Sequence, residues 1–178
     1  MTPSFQNADV KADYRGKITK LTIVVDTGTM KEAFMLGKKP DIMGPKYAAA
    51  VLAIKEGLIS NFQQVGVDVV VESGETRAET TAITKEIRTS QVLITGVSAY
   101  MTATTSSGYR YWDSGLSWEF AYYDRDRAVN PSLGPVWRTK TGMMMFNFGC
   151  NSDYKDCGDR FGRSIVEELR RVELIAKH

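Results

Sequence analysis

The residues with types and spacing suited to chemistry are few. Asp26-Thr27-Gly28 directly follows an apolar run, the placement an aspartate needs when two carboxylates share one proton to activate water. That chemistry requires a second copy, which a single Asp-Thr-Gly obtains only by dimerisation; the plainer reading is an Asp and a Gly turning the chain after a strand. Cys150 and Cys157 bracket a polar segment, Asn-Ser-Asp-Tyr-Lys-Asp. Two thiolates do not complete a four-ligand zinc site, and the single histidine is the last residue, His178, so no metal is assigned. Asn151, Asp153, Asp156 and Asp159 supply oxygen donors, but Lys155 and Asp156 stand where a calcium loop needs a ligand and a glycine. The better expectation is a Cys150–Cys157 disulfide, worth roughly 2 to 3 kcal/mol in the chain-entropy picture, with a free pair of thiols as the alternative in a reducing compartment.

Other chemistries lack their parts. Without an internal histidine, Ser-His and Cys-His nucleophilic catalysis in its usual form is excluded. Gly28, Gly37 and Gly44 lack the spacing and the Lys-Ser/Thr ending of a phosphate loop, so no nucleotide or other cofactor is assigned. Met143-Met144-Met145 reads as core filler of a strand. Tyr109, Tyr111 and Trp112 lie in a segment otherwise built of Ser, Thr and Gly, and aromatics so placed anchor partner proteins or stack on sugars; folding back over the sheet is the alternative.

The elements that must position these residues follow from periodicity. Over 178 residues, 43% hydrophobic and 25% charged with a formal net charge of +2, the composition is that of one globular domain. The interspersed charges do not form the basic footprint of a nucleic-acid partner, and no apolar run approaches the roughly 20 residues of a membrane span. Ile18 to Val25 predicts a buried strand, with Leu21, Ile23 and Val25 on one face and Val24 on the other. Asp26 to Gly44 predicts a long loop, and Pro45 then opens a helix carrying Tyr47, Val51, Ile54, Leu58, Phe62 and Val65. Val67 to Val71 is the second strand and Glu75 to Arg88 a short helix. Gln91 to Met101, the alternating Leu116, Trp118, Phe120 and Tyr122, and Val136 to Phe148 predict an antiparallel meander. Asp159 predicts the N-cap of a last helix with Phe161, Ile165, Val166, Leu169 and Val172 on its apolar face. The expectation is an α/β (α+β) single domain over residues 17–178, a mixed five-stranded sheet in the order β-α-β-α-β-β-β-α, behind a flexible lead-in over residues 1–16. The polar composition of residues 2–16 is that of a mature chain, and a signal segment is expected upstream.

Particular phrases carry a resemblance. Val65-Gly66-Val67-Asp68-Val69-Val70-Val71, Ser90-Gln91-Val92-Leu93-Ile94-Thr95-Gly96-Val97-Ser98 and Gly134-Pro135-Val136-Trp137-Arg138 resemble the bacterial envelope lipoprotein domain seen in the TolB N-terminal region, the curli secretion lipoprotein CsgG and the penicillin-binding-protein activator LpoB. Ser90-Gln91 stands where that group has Ala-Asp. The resemblance covers about Lys17 to Leu174. It implies a non-enzymatic periplasmic or outer-membrane-associated module whose partners are envelope proteins, with oligomeric state undetermined. A glycan or small-ligand binding role, and an aspartic-type hydrolase using Asp26, are the alternatives. If the chain is an interaction module, Tyr109, Tyr111 and Trp112 are its expected anchors.

Overall fold

A computed structural model describes residues 4–6, 9–35, 40–104, 110–126, 134–142 and 153–176. The elements are β1 (Phe5–Gln6), β2 (Lys20–Asp26), α1 (Gly28–Met35), α2 (Pro40–Gln64), β3 (Asp68–Gly74), α3 (Arg77–Glu86), β4 (Gln91–Thr104), β5 (Arg110–Asp124), β6 (Trp137–Thr141) and α4 (Tyr154–Arg171). They form one mixed sheet in the order β1-β6-β5-β4-β2-β3. Both expected crossovers are present. β2 pairs in parallel with β3 and β4, while β4-β5-β6 is the antiparallel meander.

Strand parity sorts the layers. Leu21, Ile23 and Val25 share a face with Val69, Val71, Leu93, Trp118, Phe120 and Tyr122, all buried. Helices α1, α2 and α4 cover this face, and Phe161 of α4 packs on Trp118 and Phe120 at centroid distances of 4.8 and 6.1 Å. The other face carries Thr22, Val24 and Gly74, and among the described helices only α3 covers it. A Cβ placed on Gly74 would point into Thr80, so α3 presses on bare backbone. That cover ends at β2 and β3; on β5 and β6 the same face leaves Ala121 and Tyr123 half-buried and Arg138 and Lys140 exposed.

The seam between α2 and α4 has no side chains at its crossing. A Cβ on Gly57 would lie 2.0 Å from the Gly158 carbonyl oxygen, one on Gly158 2.0 Å from that of Ala53, and one on Gly162 2.3 Å from that of Gly57. Beside the crossing, the buried amide of Asn61 donates to Gly57 O and to Asp159 Oδ1, each at 2.9 Å.

Four expectations need correction. The sheet has six strands, because Phe5–Gln6 pairs with Thr141 and Lys140; two residues carry no readable period and become a strand only because β6 offers them an edge. Residues 9–14 continue as a strap: Val10 bridges Trp137 and Tyr14 stacks edge-on against Tyr122. The segment read as a long loop after Asp26 holds α1, which buries Met30, Ala33 and Phe34. The next helix starts at Pro40 and carries Pro45 inside it. The residue before proline resists helical geometry because the ring meets its Cβ, and here that residue is Gly44. Lastly, α4 is capped by Asp153, whose side chain accepts from Asp156 N at 3.1 Å, and Asp159 lies within the helix. Gly158 and Gly162 are what lets the helices touch.

Candidate functional site

Four places hold the residues that chemistry or binding would use. The first is the carboxyl end of β2, where open α/β sheets commonly bind ligands. Asp26 accepts a 3.0 Å bond from Gly28 N–H and so caps the entry to α1. Thr27 is fully buried; its N–H and Oγ1–H both donate to Gly74 O, at 2.9 and 3.1 Å. Its hydroxyl in turn accepts from Tyr47 of α2 at 2.6 Å. Burial pushes the Tyr47 phenol above its ordinary value. Lys31 pairs with Glu75 across the top of this knot. Asp-Thr-Gly is therefore a staple joining β2, α1, β3 and α2. The residues paired laterally with Asp26 are Gly74 and Gly96, so neither neighbouring strand supplies a carboxylate beside it.

The second place is the far end of the β4-β5 hairpin. β2 leaves β4 at Gly96, and the last ladder pair of β6 with β5 is Lys140 opposite Glu119. Beyond these, among the described residues, β4 and β5 pair only with each other: Tyr100 with Leu116, Met101 with Gly115, Ala103 with Tyr111 and Thr104 with Arg110. The hairpin thus continues as a two-stranded ribbon of roughly 20 Å. Tyr100 is half-buried against the core. Between Met101 and Ala103 the register shifts, so Trp112 sits in a bulge on β5, where extra residues leave the ladder. Tyr111 and Trp112, expected in a Ser-, Thr- and Gly-rich segment, therefore belong to a strand. Tyr109 lies outside the described residues.

The third place is a polar cleft of about 320 Å³ at the opposite end of the sheet, lined by Lys17, Thr19, Lys20, Ser90, Asp124 and Asp126 among others. Gln91 fastens its floor. Its Oε1 accepts from the N–H groups of Thr19 and Lys20 at 2.9 and 3.2 Å, and its Nε2 donates to Lys17 O at 2.7 Å. Buried Asp124 accepts from Tyr14 OH at 2.7 Å, and that phenol also meets Tyr122 OH at 3.0 Å, which ties the strap to the cleft wall.

The fourth place holds Cys157, buried in the first turn of α4; Cys150, the other half of the expected disulfide, lies outside the described residues. Among the described residues no cluster of three His, Cys, Asp or Glu side chains is placed to hold a metal, and no helix is long and apolar enough to cross a membrane.

No protein-family profile matches this chain, and no curated protein does. Among solved structures it is similar to a PelC dodecamer from Paraburkholderia phytofirmans, with 15% identity over 99% of both chains and a TM-score of 0.42. A point variant of that PelC, in another crystal form, aligns at 13% identity over 90% of this chain and 96% of its own, with a TM-score of 0.40.

Sequence reasoning missed α1 and the bulge. The first had a signal, since Met30, Ala33 and Phe34 repeat at steps of three and one behind a capping Asp. The bulge had none: extra residues on one strand are defined only by the partner strand.

Proposed function

We propose that this protein is a non-catalytic interaction module of the bacterial cell envelope, periplasmic or outer-membrane-associated, that engages another envelope protein through the β4-β5 ribbon. The ribbon is the observation that supports this reading. Two-stranded hairpins are marginally stable in water by themselves, so a ribbon that outruns its sheet neighbours and carries Tyr111 and Trp112 at a bulge gains most from a partner that completes it. The envelope location rests on the resemblance of the Val65, Ser90 and Gly134 phrases to the TolB, CsgG and LpoB domain. The polar cleft under Lys17, Lys20 and Asp124 favours the second reading, a glycan or small polar ligand, because its volume falls in the range of small-molecule sites.

The test is the triple variant Tyr109→Ala, Tyr111→Ala, Trp112→Ala. It is expected to melt at the wild-type temperature while losing crosslinked partners from a detergent-solubilised envelope extract. Equal capture by both proteins would remove the ribbon from the interface, and a large drop in melting temperature would place these rings in the core.

A further inference from the structure

β3 is one of the two edge strands of the sheet, and its outward groups follow from the register. Asp68 N–H donates to Thr19 O, and Thr27 N–H donates to Gly74 O. In a parallel ladder alternate residues bond the same neighbour with both their N–H and C=O, so Asp68, Val70, Glu72 and Gly74 all bond inward to β2. Val69, Val71 and Ser73 therefore aim three N–H and three C=O groups away from the sheet, at an edge that, among the described residues, no strand occupies. The seven β2-β3 pairs run without a register shift. Natural edges are blunted by a proline, a bulge, brevity or charged side chains; of these β3 has only the charges of Asp68 and Glu72.

The side chains on this edge point to what it takes. Val70, at its centre, is 51% exposed, and among the described residues it and Leu52 are the large apolar side chains so exposed. Exposed Asp68 and Glu72 flank Val70 on the same face, roughly 13 Å apart. Lys20 stands beside Asp68 in the register, whereas Glu72 stands beside Val24. The pattern along the edge is acidic, apolar, acidic.

We infer that β3 is a strand-addition site for an extended segment of a partner protein that carries a cation, an apolar residue and a second cation at alternate positions. Such a strand satisfies the six outward backbone groups, covers Val70 and sets a Lys or Arg opposite Glu72 and Asp68, within cross-strand reach. A second copy of this chain is the poorer occupant. Antiparallel self-pairing about Val70 sets Asp68 of one copy opposite Glu72 of the other, which is destabilising. The inference goes beyond the ribbon reading, because β2 lies between β3 and the β4-β5 hairpin.

The probe is the capped peptide Ac-Thr-Lys-Thr-Val-Thr-Lys-Thr-NH2, with Glu in place of Lys as its control, followed by amide exchange on the full chain. At about ten times its Kd, the lysine peptide is expected to slow the amides of Val69, Val71 and Ser73 about tenfold, while the control leaves them unchanged. Ser73→Pro removes one outward donor without touching the β2 ladder and is expected to weaken binding at unchanged melting temperature. Asp68→Lys with Glu72→Lys should transfer the preference to the glutamate peptide. The ribbon triple variant should bind as wild type does. Three results overturn the inference: no slowing at those amides, equal slowing by both peptides, or slowing that grows with protein concentration without peptide, which would make a second copy the occupant. Loss of peptide binding in the ribbon variant would move the site off β3.

Discussion

Gly158→Ala tests whether the α2-α4 seam is as close as backbone contact allows. The added Cβ would lie 2.0 Å from Ala53 O, 2.4 Å from Ala53 C and 3.1 Å from its Cα. All three atoms are backbone in the middle of α2, so no side chain can swing aside, and the helices must part by about 1 Å to restore contact distance. A gap of that size forfeits a quarter to a half of the attraction between the atoms it separates, and overpacking of this kind costs about 1 to 3 kcal/mol. Better helix propensity returns about 1 kcal/mol. Because the obstacle is rigid, the upper part of the overpacking range applies, and the net loss is about 2 kcal/mol, a fall in Tm of roughly 4 to 8 °C for a domain of this size. Urea unfolding followed by far-UV circular dichroism should show a lower midpoint with an unchanged slope. Gly57→Ala meets Gly158 O at 2.0 Å in the same crossing; once the helices have parted for one methyl the second costs less, so the double variant should lose less than the two single losses added. A Gly158→Ala protein as stable as wild type, or strictly additive losses, would refute the close-contact reading.

Asp26→Ala removes the acceptor for Gly28 N–H and should cost about 1 kcal/mol by denaturant unfolding, while Asp26→Asn, which keeps an acceptor, should cost less; acid-pH peptidase activity that vanished in Asp26→Asn would instead make this carboxylate catalytic. The Tyr47 phenol is raised from its ordinary value of 10.0 by burial, so the stability it contributes is complete below that value and is lost as pH rises through the folded one. Tm measured upward from pH 9 should therefore fall less steeply in Tyr47→Phe than in wild type, and parallel curves would show that the phenol is not held protonated. Cys150 and Cys157 should resist alkylation in protein made in an oxidising compartment until a reductant is added, as read by intact mass; two modified thiols without reductant would exclude the bond.

What was legible in the sequence is what a single element decides by itself. Leu116, Trp118, Phe120 and Tyr122 alternate because one face of β5 meets α4 and its neighbours, and all four are buried to 1% or less. Tyr47, Ile54, Leu58 and Phe62 repeat at helical steps because α2 lies on that same core. What was not legible depends on a second element. Gly158 and Gly162 have low intrinsic helix propensity, yet in the folded chain they join two helices. Asp26-Thr27-Gly28 looked like a site because its chemistry is local, whereas its hydrogen bonds to Gly74 and Tyr47 come from residues 47 and 20 positions away.

Strand order is the clearest case. Any reading of β2, β3 and β4 as consecutive parallel strands leaves open whether β4 adds beside β3 or returns past it to the other side of β2. The return is what the chain does, and right-handed crossovers then require α3 on the face opposite α1 and α2. Two consequences follow from this one choice. Asp26 becomes the end of an interior strand, flanked by Gly74 and Gly96 with no room for a second carboxylate, since a Cβ on Gly96 would already lie 3.1 Å from the Asp26 Cβ. Meanwhile β3, whose Val67-to-Val71 run reads as a short apolar strand, becomes the edge that leaves Val70 in water. The residue pattern of β3 is the same in either order; only its position in the sheet makes it a surface that a partner strand can extend.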